Sequence, residues 1–128
     1  EIPLYAFEKG INYWDTAPFY CDDKSEIVTG IALSQVKRSD VYVTSKTNFN
    51  TIGQNPTRDD FRRRLEMSLQ RLQTDYIDFY FVHWPDVNTP IDETMAALAN
   101  LKKQGKIRFV GVSNFSEEQI EEAEKYHR

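Results

Sequence analysis

The sequence predicts an α/β fold built on a parallel sheet. Three observations carry this. Short apolar runs alternate with helical patterns, strand then helix four times over, after a helical remnant at the start. The stretch from Tyr76 to Asp86, YIDFYFVHWPD, opens densely enough in aromatic and aliphatic residues for a strand buried on both faces. Polar residues able to do chemistry recur where the apolar runs give out, as on the rim shared by parallel strand ends.

The elements follow in order. Residues 1–9 read as the end of a helix with an apolar face of Leu4, Tyr5 and Phe7, stopped by Gly10. Ile11 to Trp14 is a short apolar run ending in Asp15. Ser25 to Val36 carries Ile27, Val28, Ile31, Ala32 and Val36 at helical spacing, with Asp22 or Asp23 as its cap. Val41 to Ser45 is a second strand, ended by Lys46, and TNFNTIGQNP reads as a loop.

Thr57 opens the strongest helix. With Asp60 it resembles a capping box, Asp standing where Glu or Gln is usual. Phe61, Leu65, Leu69 and Leu72 form its buried stripe, and the charges of Arg62, Arg63, Arg64 and Glu66 read as a solvated face. The strand within YIDFYFVHWPD follows and is stopped by Pro85. Thr89 reads as the N-cap of the next helix, with Pro90 at its first position. Ile91, Met95, Leu98 and Leu101 face inward, and Gly105 ends it. Ile107 to Val112 is the fourth strand, closing on Ser113-Asn114-Phe115. Ser116 and Gln119 form a capping box for the last helix, which carries Ile120, Ala123 and Tyr126. Strands joined this way by helices make right-handed βαβ units.

A length of 128 residues suits one ordinary domain, and 40% hydrophobic with 28% charged residues suits a globular one. The net charge of −4 and the lack of a basic stripe argue against nucleic acid as a partner. No apolar run approaches a membrane span. Cys21 is a single cysteine and forms no internal disulfide, which fits a reducing, cytoplasmic setting. The chain begins at Glu1, so a preceding segment is expected.

Asp15, Lys46, His83 and the Ser113-Asn114 pair each sit at the C-terminal end of a different apolar run. Tyr20 lies five residues past Asp15. In a parallel barrel these ends lie on one rim, so the six residues are expected around one mouth. Each also has an ordinary reading: a turn cap for Asp15, a packed tyrosine for Tyr20, a structural histidine for His83, a common strand–helix connection for Ser113-Asn114. Lys46 is harder to dismiss, because lysine is rarely placed near a core without a partner. Other chemistries find less support. His83, His127 and Cys21 form no zinc spacing. No G-x-G-x-x-G and no Walker motif is present. Nothing places Glu26 opposite Asp86 as a glycosidase pair, and Cys21 has no identifiable base.

GINYWDTAPFY (10–20), SEIVTGIAL (25–33), VYVTSKT (41–47), LQRLQTDYIDFYFVHWPD (69–86) and GKIRFVGVSNFS (105–116) together resemble the aldo-keto reductases, in order and over essentially the whole length. HWPD with GVSNFS looks most like the bacterial, general-oxidoreductase branch. The resemblance implies a partial (β/α)8 TIM barrel of about four parallel strands. Residues 1–128 would run from the end of its first helix to its fifth as one fragment of a single barrel domain, since a complete barrel takes roughly 250 residues.

The resemblance also implies a catalytic tetrad of Asp15, Tyr20, Lys46 and His83. It implies NADP(H) as cofactor, held without a glycine-rich fingerprint, with Asp15, Ser113 and Asn114 as contacts. The reaction would be hydride transfer to a small-molecule aldehyde or ketone. Tyr20 would protonate the carbonyl oxygen, Lys46 would act on the phenol, Asp15 would hold Lys46, and His83 would position the oxygen. An ammonium beside the phenol would favour the negative charge left as the proton leaves. Trp14, Phe19, Phe49 and Trp84 follow the same strand ends and line either an apolar substrate pocket or an ordinarily packed rim. Two other classes stay open: a regulatory subunit, as in the beta subunits of Shaker-type potassium channels, and an inactive fragment. A fragment with unpaired sheet edges is expected to self-associate.

Overall fold

The computed structural model describes residues 1–47 and 56–126. The elements are α1 (Ile2–Glu8), β1 (Tyr13–Asp15), α2 (Ser25–Leu33), a 3-10 turn (Arg38–Asp40), β2 (Tyr42–Thr47), α3 (Arg58–Leu72), β3 (Ile77–Val82), α4 (Ile91–Lys103), β4 (Ile107–Val112) and α5 (Glu117–Glu124). The four strands form one sheet in sequence order, every neighbouring pair parallel. This is the strand–helix alternation read from the sequence.

Register sorts the side chains into two faces, because successive strand residues point opposite ways. Trp14, Val43, Tyr80 and Val82 lie toward the helices and pack with Phe61, Leu65 and Leu98 in the core. The other face presents Tyr13, Tyr42, Phe79, Phe81 and Phe109. Phe79 stacks on Phe109 at 5.2 Å between ring centres and tilts against Tyr13 at 5.8 Å. Tyr13, Tyr42 and Phe109 are 48%, 47% and 53% exposed, so this face is bare.

Local chemistry explains most boundaries. Thr57 with Asp60, and Ser116 with Gln119, form the two expected capping boxes. Gly105 stops α4 at φ +74, which lets its N–H reach the Lys102 carbonyl and the Lys106 N–H reach Leu101. At the end of the sheet remote from the mouth, the buried Asp78 carboxylate accepts from Arg38 (2.8 Å), the Val43 N–H (2.9 Å) and Arg108 (3.2 Å). The same two guanidinium groups lie over the Tyr76 ring, at 4.0 and 4.1 Å from its centre. A charge taken out of water needs partners of this kind.

Several expectations are corrected. The Ile27, Val28 and Ile31 stripe of α2 is half exposed, and the buried face is Glu26, Thr29, Gly30, Ala32 and Leu33. Gly30 decides this. A Cβ there would lie 2.2 Å from the Arg71 carbonyl, so α2 meets the last turn of α3 backbone to backbone. Glu26, one turn earlier on that face, is buried against Ser45 (2.6 Å) and Arg71 (3.2 Å). α2 also ends at Leu33 rather than Val36.

Neither Asp22 nor Asp23 caps α2. Both, with Cys21, have left-handed backbone, and Lys24 takes the cap position without a side-chain bond. Thr89 does not cap α4. Its hydroxyl donates to Asp86, and Pro90 occupies the cap position. Lys46 lies inside β2, which extends to Thr47. Tyr5, Ile120 and Tyr126 are exposed, and Ile91 is half buried. Arg64 and Glu66 are half buried rather than solvated, Glu66 as the partner of Lys106.

Gly30→Ala is expected to destabilise the protein by about 3 kcal/mol, since overpacking costs about 1–3 kcal/mol and this contact is to backbone that cannot rotate away. Urea denaturation measures it. A midpoint equal to wild type would mean that α2 and α3 do not approach this closely.

Candidate active site

The mouth is built where the strands end. Each pairing runs one residue past its strand: Thr16 N–H bonds the Thr44 carbonyl (2.9 Å), His83 N–H that of Thr47 (2.8 Å), and Ser113 N–H that of Val82 (2.9 Å). Asp15, Lys46, His83 and Ser113 therefore continue one face of the sheet at one end.

Lys46 is the centre of the group. It is 8% exposed. Its ammonium donates to both Asp15 oxygens (2.7 and 2.8 Å) and to the Thr16 carbonyl (2.9 Å). Three acceptors for three N–H groups satisfy it fully. The same Nζ stands 4.8 Å from the centre of the Tyr20 ring, a cation–π distance. Thr16 is fixed in turn by its hydroxyl, 2.7 Å from that of Ser25 at the start of α2.

Tyr20 meets His83 edge to face at 5.9 Å between ring centres, and Trp84 stacks on His83 at 5.9 Å. Burial lowers the His83 pKa from its ordinary value, and the Lys46 charge lowers it further against the opposing pull of Asp15. Asn114, at φ +60, donates its Nδ2 to the His83 carbonyl (2.7 Å) and to the Ser113 hydroxyl (3.1 Å). The structure thus brings Asp15, Tyr20, Lys46, His83, Ser113 and Asn114 to one mouth.

The four aromatic positions divide. Phe19 and Trp84 are both exposed, Phe19 next to Tyr20 in the chain and Trp84 stacked on His83. Trp14 is a correction: it lies on the helix side of β1, buried in the core, with its ring against Phe7 and its Nε1 donating to the Ile11 carbonyl (3.2 Å). The alternation that points Asp15 into the mouth points its neighbour away. Phe49 lies outside the described residues.

Sequence reasoning missed Thr16, which acts through a backbone carbonyl and so leaves no side-chain signal. It also missed the buried Glu26–Ser45 contact behind the mouth. A signal for that one existed: a lone glycine inside a helical pattern marks close approach, and Gly30 stands one turn after Glu26.

The family model for the aldo/keto reductase family matches residues 1–128. The chain belongs to this family. It is 44% identical over 121 residues to aldo-keto reductase YhdN of Bacillus subtilis (strain 168), covering 91% of this chain and 37% of that protein. It is 39% identical to the NADH-specific methylglyoxal reductase of Escherichia coli (strain K12), covering 96% of this chain and 43% of the relative. Among solved structures, the thermostable aldo-keto reductase Tm1743 in complex with the inhibitor epalrestat superposes with a TM-score of 0.91 at 37% identity, over 99% of this chain and 45% of that one. An aldo-keto reductase from Klebsiella pneumoniae in complex with NADPH gives 0.79 at 37% identity, over 91% and 39%. The four strands and their helices correspond to part of the (β/α)8 barrel of this family. The chain spans about two-fifths of the length of these curated relatives.

A histidine whose folded pKa is lowered favours folding when neutral. Its contribution is present above about pH 6.5, the unfolded value, and is lost as pH falls through the folded value. The His83 imidazole is expected to titrate below about 6.5 by NMR and to be neutral at pH 7. A midpoint above 6.5 would mean that the ring is neither buried nor close to Lys46.

Proposed function

We propose that these residues belong to a longer barrel that reduces a small aldehyde or ketone to an alcohol, with NADP(H) as cofactor and Tyr20 as the acid. The observation that carries this is the Lys46 ammonium, pinned by Asp15 and Thr16 and held against the Tyr20 ring beside His83.

The Ser113-Asn114 pair fits the cofactor's amide. Both Nδ2 hydrogens of Asn114 have acceptors, which leaves its Oδ1 as an acceptor for a ligand. Ser113 Oγ accepts from Asn114, which leaves its own hydroxyl hydrogen to donate. One donor beside one acceptor complements a primary carboxamide. When bound, reduced nicotinamide supplies the hydride.

The protein supplies the rest. As negative charge grows on the substrate oxygen, Tyr20 transfers its phenolic proton to it. The Lys46 charge favours the phenolate that remains. Asp15 keeps Lys46 in place. Neutral His83 donates a hydrogen bond to the same oxygen and fixes its direction. Phe19 and Trp84 offer apolar surface at the mouth for the substrate. The E. coli relative is named for NADH and the Klebsiella structure for NADPH, so parallel titrations with both cofactors test the NADP(H) assignment.

A cytoplasmic setting belongs to the same reading. Cys21 is a free, exposed thiol, and no helix among the described residues is long and apolar enough to cross a membrane.

In the full-length protein, Tyr20→Phe is expected to lower kcat by about a hundredfold or more, while the Kd for NADPH stays within about twofold. Stopped-flow turnover alongside cofactor fluorescence separates the two. Undiminished turnover would remove Tyr20 from its role.

The 128 residues alone are expected to self-associate and to reduce no aldehyde. Among the described residues, their sheet leaves β1 and β4 each with one unpaired edge, and one face exposes Tyr13, Tyr42 and Phe109. Size-exclusion chromatography with an NADPH-oxidation assay tests this. A monomer that turns over substrate would contradict it.

A further inference from the structure

We propose that Asn114 is a positioning residue for His83: its side-chain amide clamps the His83 peptide, so that the end of β4 sets where the imidazole stands. The functional consequence rests on the carbonyl-reduction reading above. The clamp itself rests on geometry.

His83 sits where the sheet stops supporting β3. The Val82 carbonyl still has a strand partner, the Ser113 N–H. Two residues past His83, Pro85 has no N–H to give, and the ladder ends. The His83 N–H is taken by Thr47 of β2, at 2.8 Å. The His83 carbonyl is taken by the Asn114 side chain, at 2.7 Å. A carbonyl only accepts, so the Asn114 atom facing it is Nδ2 and not Oδ1. The His83 main chain is thus held on both sides of its Cα, by the backbone of β2 and a side chain just past the end of β4.

The ring lacks the restraint a functional histidine usually has. Which way an imidazole faces is commonly fixed by a hydrogen bond at Nδ1. The His83 Nδ1 is buried and has no such partner among the described residues. Among the described residues, ring packing against Tyr20 and Trp84 and the clamped backbone orient it.

The backbone of Asn114 supports the same reading. It is left-handed, at φ +60, a conformation that Asn tolerates better than most residues. The hydroxyl of Ser113 accepts the second Nδ2 hydrogen, so the amide plane is fixed as well. Asparagine meets both demands at once: a left-handed backbone and a short donor.

Two variants of the full-length protein test this without cofactor present. Asn114→Gly keeps the left-handed backbone and removes the clamp. Asn114→Asp keeps the size but turns an acceptor toward the carbonyl. Asn114→Gly is expected to raise the NMR titration midpoint of His83 toward about 6.5, as the ring moves away from Lys46, and Asn114→Asp, whose carboxylate also attracts the imidazolium, to shift the His83 ring signals as well, while Asp15 and Tyr20 keep their places. At saturating NADPH both are expected to lower kcat by about tenfold or more, a displacement effect, with cofactor Kd measured separately.

In the unmutated protein, a through-hydrogen-bond coupling is expected between the Asn114 side-chain nitrogen and the His83 carbonyl carbon. Absence of that coupling, or His83 signals unmoved in both variants, overturns the clamp. Moved His83 signals together with full turnover in Tyr20→Phe would leave the clamp standing and remove the reductase reading.

Discussion

The site depends on keeping one lysine charged where water barely reaches. Lys46 lies near the mouth end of the inner strand β2, almost fully buried, and a buried ammonium is stable only with its hydrogens satisfied. Two go to Asp15 and one to the Thr16 carbonyl. That requirement fixes the register of β1 against β2, because Asp15 must stand beside the strand that carries Lys46. It also explains the neighbours. Tyr20 presents its ring to the cation, and His83 feels the same charge as a force against its own protonation.

A second polar group stands behind the first. Glu26 is buried on the helix side, bonded by Ser45, the residue before Lys46, and paired with Arg71 of α3. Apolar residues in its place would pack as well or better, since buried ion pairs rarely add net stability. What the pair does is tie β2, α2 and α3 together immediately behind the lysine. At the far end of the sheet, Asp78 ties the strands in the same way through Arg38 and Arg108. The helix side of the sheet is thus held by charged contacts at both ends and by the apolar core between them.

Much of this was legible in the sequence, for physical reasons that differ by element. α3 was read with its stripe because Phe61, Leu65, Leu69 and Leu72 repeat at helical spacing and its capping box is explicit. The mouth was read because a chemically able residue at the end of each of four strands is a pattern that packing alone does not produce. In α2 the most apolar stripe is not the buried one. Backbone contact at Gly30 outranked side-chain hydrophobicity, and no apolar pattern encodes backbone contact. Position at a strand end points Trp14 toward the mouth, but the alternation along β1 turns its side chain to the core. The clamp on His83 was invisible for a further reason. It joins residues 31 apart through a main-chain carbonyl, which no side-chain type announces.

The most direct measurement is a crystal structure of the full-length protein with NADPH and a carboxylate inhibitor that mimics the polarised carbonyl. One inhibitor oxygen is expected within about 3 Å of both the Tyr20 hydroxyl and a His83 ring nitrogen, with Lys46 still bound to Asp15. An inhibitor seated away from Tyr20, or a Lys46 released from Asp15 to meet it directly, would contradict the account.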